Sequence, residues 1–167
     1  YIKENGGTVE RSKVGEANVV DLMLQTDSEA GGEGSSAGFI LSKFNFCRDG
    51  ILTSALVTSI FKSKEFTDMI DLINGYHQLR EKISIESELH DKIVDKLKQE
   101  MKNEFGQLIT IDGIKAIIDE NSWVLIRKSN TENSIRISCE SNDLEKAKSI
   151  KQQVIQLVNE NYAKMRK

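Results

Sequence analysis

The chain has 167 residues, of which 38% are hydrophobic and 29% charged, and its formal net charge is −3. This length allows one domain or two small ones, and the composition is ordinary for a globular protein. The small negative charge argues against a protein that holds nucleic acid by bulk electrostatics, so any anion site must be local.

Cysteine, histidine and hydropathy patterns exclude several further classes. Cys47 and Cys139 are too few for a disulfide scaffold, which favours reduced thiols and a cytoplasmic location. No apolar run approaches the roughly 18 residues of a membrane span, and no signal peptide is predicted. His77 and His90 do not have the spacing of metal ligands. The chain starts at Tyr1 in helix-like sequence, so it is expected to be a piece of a longer protein.

Residues 1–75 are predicted to form an α/β segment. Residues 16–25 carry apolar side chains at helical spacing. Residues 8–10 and 39–41 are short strand candidates.

The end of this segment shows clear helix boundaries. Asp49 is a good N-cap for a helix with an apolar face. A second helix, about residues 66–73, closes at the pair Asn74-Gly75, which is typical of a C-cap. The next stretch, residues 76–85, is extended and polar and is interpreted as the connection between two domains.

Residues 86–167 are predicted to form a compact α+β domain. Ser87 can cap a first helix, and Asn142 or Asp143 can cap a last one. Between them the pattern indicates four antiparallel strands, with a hairpin turn at residues 112–113. Both helices can cover one face of that sheet, which gives a two-layer domain.

A polar loop between two predicted strands is the first candidate site. Arg127 and Arg136 bracket Ser129, Asn130 and Thr131. Two guanidiniums with short hydroxyl and amide side chains offer many hydrogen-bond donors, which suit an anion with several acceptor oxygens, such as a phosphate. A polar hairpin loop with two solvated arginines is the competing interpretation.

A glycine-rich loop at residues 31–38 is the second candidate. Its carboxylate, Glu33, could accept hydrogen bonds from neighbouring sugar hydroxyls, and the glycines allow a close approach. A flexible Gly/Ser loop without a ligand fits the same residues.

Four strings together resemble the α-D-phosphohexomutases, the family of phosphoglucomutase, phosphomannomutase and phosphoglucosamine mutase. Arg-x-Ser-Asn-Thr-Glu-x-x-x-Arg at 127–136 resembles the phosphate-binding loop of the family's C-terminal domain. Gly-Gly-Glu-Gly-Ser at 31–35 is similar to its sugar-recognition loop. Arg-x-Lys-Val-Gly at 11–15 and Arg-Asp-Gly at 48–50 are similar to two further family strings.

The resemblance implies a domain organisation that agrees with the patterns. Residues 1–75 would be the C-terminal portion of an α/β mutase domain, the third of four. Residues 86–167 would be the fourth domain, of the TATA-binding-protein-like type with a four-stranded antiparallel sheet and two helices.

It also implies roles for individual residues. Glu33 and Ser35 would bind sugar hydroxyls, and Lys13 would be a substrate-facing cation. The substrate phosphate would be held by Arg127, Ser129, Asn130, Thr131 and Arg136. Three positions depart from the family pattern: Asn133 stands where Pro is usual, and Ser36 and Ala37 stand where Gly and His are usual.

The implied activity belongs to a longer protein. A phosphohexomutase moves a phosphoryl group between O1 and O6 of a hexose phosphate, here of mannose, glucose or glucosamine. The full-length enzyme would need its N-terminal domains, a phosphoserine, Mg²⁺ and a hexose 1,6-bisphosphate activator. The catalytic serine loop and the metal loop are not found in this sequence, so no catalytic residue or metal ligand is expected in it. A stand-alone phosphosugar-binding module without catalysis remains an alternative.

Overall fold

A computed structural model describes residues 1–33, 38–129 and 131–166. The chain divides into two compact units, Tyr1–Thr67 and Asp68–Lys167, and the division falls inside a helix.

The first unit combines a two-stranded sheet with helices. Its elements are α1 (Glu16–Thr26), β1 (Ala30–Gly32), β2 (Phe39–Leu41), α2 (Gly50–Ile60) and the start of α3 (Lys64–Asn74). β1 and β2 pair antiparallel, with Gly31 opposite Ile40. Val19, Met23 and Ile40 form a small core. A Cβ at Gly31 would lie 2.3 Å from the sulfur of Met23, so glycine is needed where β1 packs on α1.

Two predictions about this unit have different outcomes. Asp49 caps α2 as predicted, because its carboxylate accepts a 2.8 Å hydrogen bond from the Leu52 N–H. Residues 8–10 are irregular rather than a strand, and Val9 is 40% exposed. Among the described residues no strand pairs with them, and a strand needs an edge to which its backbone can bond.

The second unit contains a five-stranded sheet. Its elements after α3 are β3 (His77–Ser84), α4 (Ser87–Phe105), β4 (Leu108–Ile109), β5 (Ile114–Asp119), β6 (Ser122–Lys128), β7 (Ser134–Ser141) and α5 (Leu144–Met165). The strand order is β3-β7-β6-β5-β4, and all neighbours are antiparallel.

The core of this unit lies between the sheet and its two helices. Leu97 of α4 and Val158 of α5 are fully buried, as are Val124 and Ile137 of the sheet. Burying one such side chain contributes about 1.5–3 kcal/mol. Because α4 and α5 share one face, the predicted two-layer arrangement is confirmed. Among the described residues of this unit no helix packs on the other face, which is called the helix-free face.

The sheet has one strand more than predicted. The expected connection at residues 76–85 contains β3, which pairs with β7 along its whole length. Leu79 and Ile83 pack against the core, while Glu81 between them lies 3.4 Å from the Nζ of Lys151 on α5. A charged residue among the inward positions hid the period-two alternation, so the strand was missed.

The two helix starts of this unit differ. Of the two predicted caps of α5, Asn142 and Asp143, the structure selects Asp143, because its carboxylate accepts hydrogen bonds from two backbone N–H groups. α4 begins at Ser87, but Glu86 is its N-cap residue and makes no side-chain capping bond. The Ser87 hydroxyl instead donates to the side chain of Asn133, in the loop between β6 and β7.

Candidate functional site

The predicted phosphate loop joins β6 and β7 and is closed by backbone bonds. The Ser129 N–H donates to the Ser134 carbonyl at 2.9 Å, which continues the strand ladder beyond Lys128. The Ser134 N–H donates to the Glu132 carbonyl at 2.8 Å. These two backbone hydrogen bonds close the loop where the pairing of β6 and β7 ends.

Arg127 and Arg136 face each other across the two strands. They are register partners, and the neighbouring pair Ile126 and Ile137 is buried against the helices. Successive side chains alternate between the two faces of a sheet, so both arginines project from the helix-free face. Lys128 projects to the other face and forms a 2.7 Å ion pair with Asp91 of α4.

Unpartnered buried polar atoms are concentrated at this loop. In the described part of the chain, three buried side-chain atoms have no hydrogen-bond partner: the hydroxyls of Ser129 and Ser134 and the Nε of Arg136. Ser129 is 8% exposed and Ser134 is fully buried. Leaving such a group without a partner costs about 1–3 kcal/mol. A bound oxyanion would offer acceptors to all three groups.

Glu132 and Lys82 complete the charges around the loop. The Glu132 carboxylate lies 2.9 Å from the Nζ of Lys82 and 2.9 Å from an Nη of Arg136. Lys82 is on β3, directly opposite Arg136. The Lys82 ammonium and then the Arg136 guanidinium lower the pKa of the Glu132 carboxyl.

The loop residue that replaces the family's usual proline is anchored on two sides. The Asn133 carbonyl accepts a 3.0 Å bond from the Ile85 N–H, and its side-chain oxygen accepts a 2.8 Å bond from the Ser87 hydroxyl. A proline has no side-chain acceptor, so the second bond depends on asparagine. It ties the loop to the start of α4.

Thr131 and Asn130 are the other two predicted phosphate-binding residues of the loop. Thr131 is exposed. Asn130 lies outside the described residues, so its predicted contact with phosphate stays a prediction.

In the first unit, two predicted sugar-binding residues line the same cavity. It has a volume of about 570 Å³, and Lys13 and Glu33 are both in its wall. The lining also includes the apolar residues Val19, Met23 and Phe39. Ser35, Ser36 and Ala37 lie outside the described residues, so the predicted role of Ser35 stays a prediction.

Glu33 belongs to a chain of charged groups. An Nη of Arg48 lies 3.9 Å from the Glu33 carboxylate, and the Glu33 side chain is 17% exposed. The Nε of Arg48 binds Glu16 at 2.8 Å, and the Arg48 N–H also donates to Glu16. These bonds with Arg48 lower the pKa of the Glu16 carboxyl, the backbone bond most strongly. Glycine is required beside Glu33, because a Cβ at Gly38 would lie 1.7 Å from the Glu33 carbonyl oxygen.

Sequence reasoning missed two residues of the loop site. Lys82 lies in the predicted connection, because Glu81 between Leu79 and Ile83 interrupts the apolar alternation of β3. Ser134 lies in the predicted polar loop, but the sequence analysis assigns it no contact with the phosphate. Its position two residues before Arg136 puts both on one face, and that spacing was visible.

The described ranges contain neither a candidate metal cluster nor a candidate membrane span. No group of three or more His, Cys, Asp or Glu side chains there could hold a metal ion. No helix within those ranges has the length and apolar character needed to cross a membrane.

Comparison with known proteins assigns both units. Residues 1–78 match the family profile described as phosphoglucomutase/phosphomannomutase, alpha/beta/alpha domain III. Residues 83–157 match the profile of the C-terminal domain of the same family.

Curated relatives agree with these profiles. A probable phosphoglucosamine mutase of Methanobrevibacter smithii is 33% identical over 93% of this chain and 36% of its own length. A phosphoglucomutase/phosphomannomutase of Thermococcus kodakarensis is 36% identical over 95% of this chain and 34% of its own length. The chain thus spans about a third of the length of these relatives.

A solved structure supports the fold. The crystal structure of a phosphoglucomutase/phosphomannomutase family protein from Burkholderia thailandensis matches 95% of this chain and 34% of its own, with a TM-score of 0.75 and 19% identity. Profiles, relatives and fold agree over both units, and the chain belongs to the phosphoglucomutase/phosphomannomutase family, of which it represents a C-terminal part.

Proposed function

We propose that this chain is the substrate-recognition part of a phosphohexomutase that moves a phosphoryl group between O1 and O6 of a hexose phosphate. The loop between β6 and β7 holds the phosphate that is not reacting. The observation that carries this assignment is the set of unpartnered buried atoms at the loop, on Ser129, Ser134 and Arg136. They are all donors or hydroxyls, which is what a phosphate requires.

The sugar is assigned to the residues around Glu33. The Glu33 side chain is mostly buried, and Glu33 lines a cavity that is large enough for a small ligand. Lys13 lines the same cavity and supplies a positive charge. The cavity, the loop motif and the family membership support this assignment.

Binding a remote phosphate contributes to catalysis by orientation. Energy from contacts with a group that does not react can hold the reacting end in the correct geometry. A mutase must also accept its intermediate in two orientations. A clamp that recognises only the phosphate, and not the position that carries it, suits that requirement.

The chemistry of phosphoryl transfer is assigned to the rest of a longer enzyme. The family resemblance implies a phosphoserine donor, Mg²⁺ and a bisphosphate activator. The described residues offer no acidic or histidine cluster that fits a metal ion, so no magnesium-dependent step is placed on this chain. A magnesium ion in the complete enzyme would offset phosphate charge.

Binding and turnover experiments test this proposal. The 167-residue chain is titrated with the 6-phosphates of mannose, glucose and glucosamine, with the unphosphorylated sugars and with sulfate. We expect the phosphorylated sugars to bind at least about tenfold more tightly than the free sugars, because charged hydrogen bonds to phosphate are lost in the latter. Equal binding of both classes contradicts the phosphate assignment.

The same chain is assayed for turnover with Mg²⁺ and a hexose 1,6-bisphosphate. No interconversion of 1- and 6-phosphates is expected. Measurable turnover contradicts the proposal that phosphoryl transfer needs the rest of a longer enzyme. The coding sequence upstream of Tyr1 tests the alternative of a stand-alone binding module. Catalytic serine and metal loops encoded there favour the mutase, and their absence favours the module.

A further inference from the structure

Three cations lie in one row across adjacent strands beside the loop. Arg136 on β7 is flanked by its register partners Lys82 on β3 and Arg127 on β6. Register partners project from the same face, and neighbouring strands are about 4.8 Å apart. The three side chains therefore converge on the helix-free face, next to the loop.

Glu132 forms ion pairs with two of the three cations in this row. One of its carboxylate oxygens binds Lys82 and the other binds Arg136, each at 2.9 Å. The side chains of Lys82, Arg136 and Glu132 are 51%, 42% and 41% exposed, so water and small anions can reach the contacts. Ion pairs this exposed exchange partners at little cost.

The carboxylate does not complete the site. With Glu132 in place, the Nε of Arg136 and the hydroxyls of Ser129 and Ser134 still have no partner. The row also has a net positive charge, because it contains three cations and one carboxylate. An anion with more oxygens and more charge than a carboxylate fits these groups better, and phosphate or sulfate has both properties.

We propose that Lys82 is a third phosphate-binding cation of this site and that Glu132 is an internal counter-ion which the incoming phosphate replaces. This inference rests on the proposed function of the β6–β7 loop. In the ligand-free protein Glu132 holds the Lys82 and Arg136 side chains together and offsets their repulsion. When phosphate binds, its oxygens take over both contacts and also reach the unpartnered groups.

Lys82 is tested against a neighbouring cation. The 167-residue chain and its variants are titrated with sulfate, which keeps its charge over the working pH range, at constant ionic strength. Arg80 is the matched control, because it lies two residues from Lys82 on the same face of β3, opposite Ser138 rather than Arg136. We expect Lys82→Ala to weaken sulfate binding about tenfold and Arg80→Ala less than about twofold. Equal effects of the two changes overturn the role of Lys82.

Glu132 is tested by removing its charge at constant size. Glu132→Gln is expected to tighten sulfate binding by roughly fivefold, because the anion no longer competes with a carboxylate. Unchanged or weaker binding overturns the counter-ion role. In the Glu132→Gln background, Lys82→Ala must still weaken sulfate binding. If it does not, Lys82 acts only through Glu132 and makes no contact with the anion.

The outcomes separate this inference from the function on which it rests. If the unmodified chain does not bind sulfate, or if Arg127→Ala binds it equally well, the proposed phosphate site is contradicted. If Arg127→Ala weakens sulfate binding and Lys82→Ala does not, only the further inference is contradicted. Circular dichroism and thermal melts of each variant show that it is folded. Lys82, Arg80 and Glu132 are exposed and Arg127 is half-buried, and none belongs to the core, so folding is expected to persist.

Discussion

Arg127 and Arg136 lie directly opposite each other on two adjacent antiparallel strands, so two guanidinium groups project from the same face of the sheet. Like charges at this position destabilise a strand pair. The carboxylate of Glu132 offsets part of this repulsion by binding Arg136. A bound anion would offset the rest of this repulsion and would pair with the unpartnered hydroxyls, and the first prediction concerns this balance.

Arg127→Ala should weaken phosphate binding without weakening the fold. Losing one charged hydrogen-bond donor costs about 1.5–3 kcal/mol, or roughly 10- to 150-fold in affinity. Lys128→Ala is the matched control, because this neighbouring cation has the same charge and projects to the other face, where it pairs with Asp91. Calorimetric titration with a hexose 6-phosphate measures both variants. Similar losses in the two variants would mean that only net charge matters.

Arg127→Ala should also change the stability of the chain. Removing one of two facing guanidiniums relieves repulsion, so the melting temperature of Arg127→Ala without ligand should equal or exceed that of the unmodified chain. Saturating sulfate should raise the melting temperature of the unmodified chain more than that of the variant, since a ligand stabilises according to its affinity. A variant that melts much lower without ligand would show that Arg127 has a structural role.

Glu132 should contribute stability that depends on pH. Lys82 and Arg136 lower the pKa of its carboxyl in the folded state. The contribution is therefore fully present above the unfolded-state pKa of about 4.3 and is lost as the pH falls through the lower folded-state pKa. Urea unfolding of the unmodified chain and of Glu132→Gln, between about pH 3 and 7 in sulfate-free buffer, measures this. The difference between the two proteins should shrink at low pH, and a constant difference would contradict the assignment.

Gly113→Ala should destabilise the second unit strongly. Gly113 has a φ of 75°, and a Cβ there would lie 2.2 Å from the Ile126 carbonyl oxygen and 2.8 Å from the Cβ of Arg127. We expect a loss of roughly 2–4 kcal/mol from the strained backbone and the contact together. Gly106→Ala is the control, because its φ is 72° but no atom lies within 4 Å of the added Cβ. Chemical denaturation should show a clearly smaller loss for Gly106→Ala, and equal losses would mean that only φ matters.

The two thiols should differ in reactivity. Cys139 is fully buried, and burial raises the pKa of its thiol, so little thiolate is present at neutral pH. Cys47 is half-buried. Alkylation of the native chain followed by peptide mapping should modify Cys47 at least about tenfold faster, because Cys139 reacts only after local opening. Both should react equally in denaturant, and fast native labelling of Cys139 would contradict its placement in the core.

The bond between Ser87 and Asn133 should stabilise the loop. Ser87→Ala and Asn133→Ala each remove one partner of a 2.8 Å hydrogen bond across 46 residues of sequence. Each should cost about 1 kcal/mol of unfolding free energy, and the double variant should cost less than the sum. Additive losses in this double-mutant cycle would show that the two side chains do not interact in solution.

Local features of this protein could be predicted from the sequence. The apolar periods of α1, α4 and α5 and the caps at Asp49 and Asp143 depend on neighbouring residues only, and they were found. The loop motif from Arg127 to Arg136 was also visible, because both arginines and the residues between them lie in one short stretch. Local propensity, capping and motif spacing act over a few residues, so they can be seen in a linear sequence.

The tertiary structure alone decided which distant groups meet at this loop. β3 became a strand because β7 offered an edge for its backbone, although Glu81 interrupts its apolar pattern. That pairing places Lys82 beside Arg136 and within reach of Glu132, and it brings Ser87 to Asn133. Several registers are possible when strands pair, and the register that forms depends on how the sheet packs against α4 and α5. No short stretch of sequence contains that information, so the contacts of Glu132 with Lys82 and Arg136 could be identified only from the folded chain.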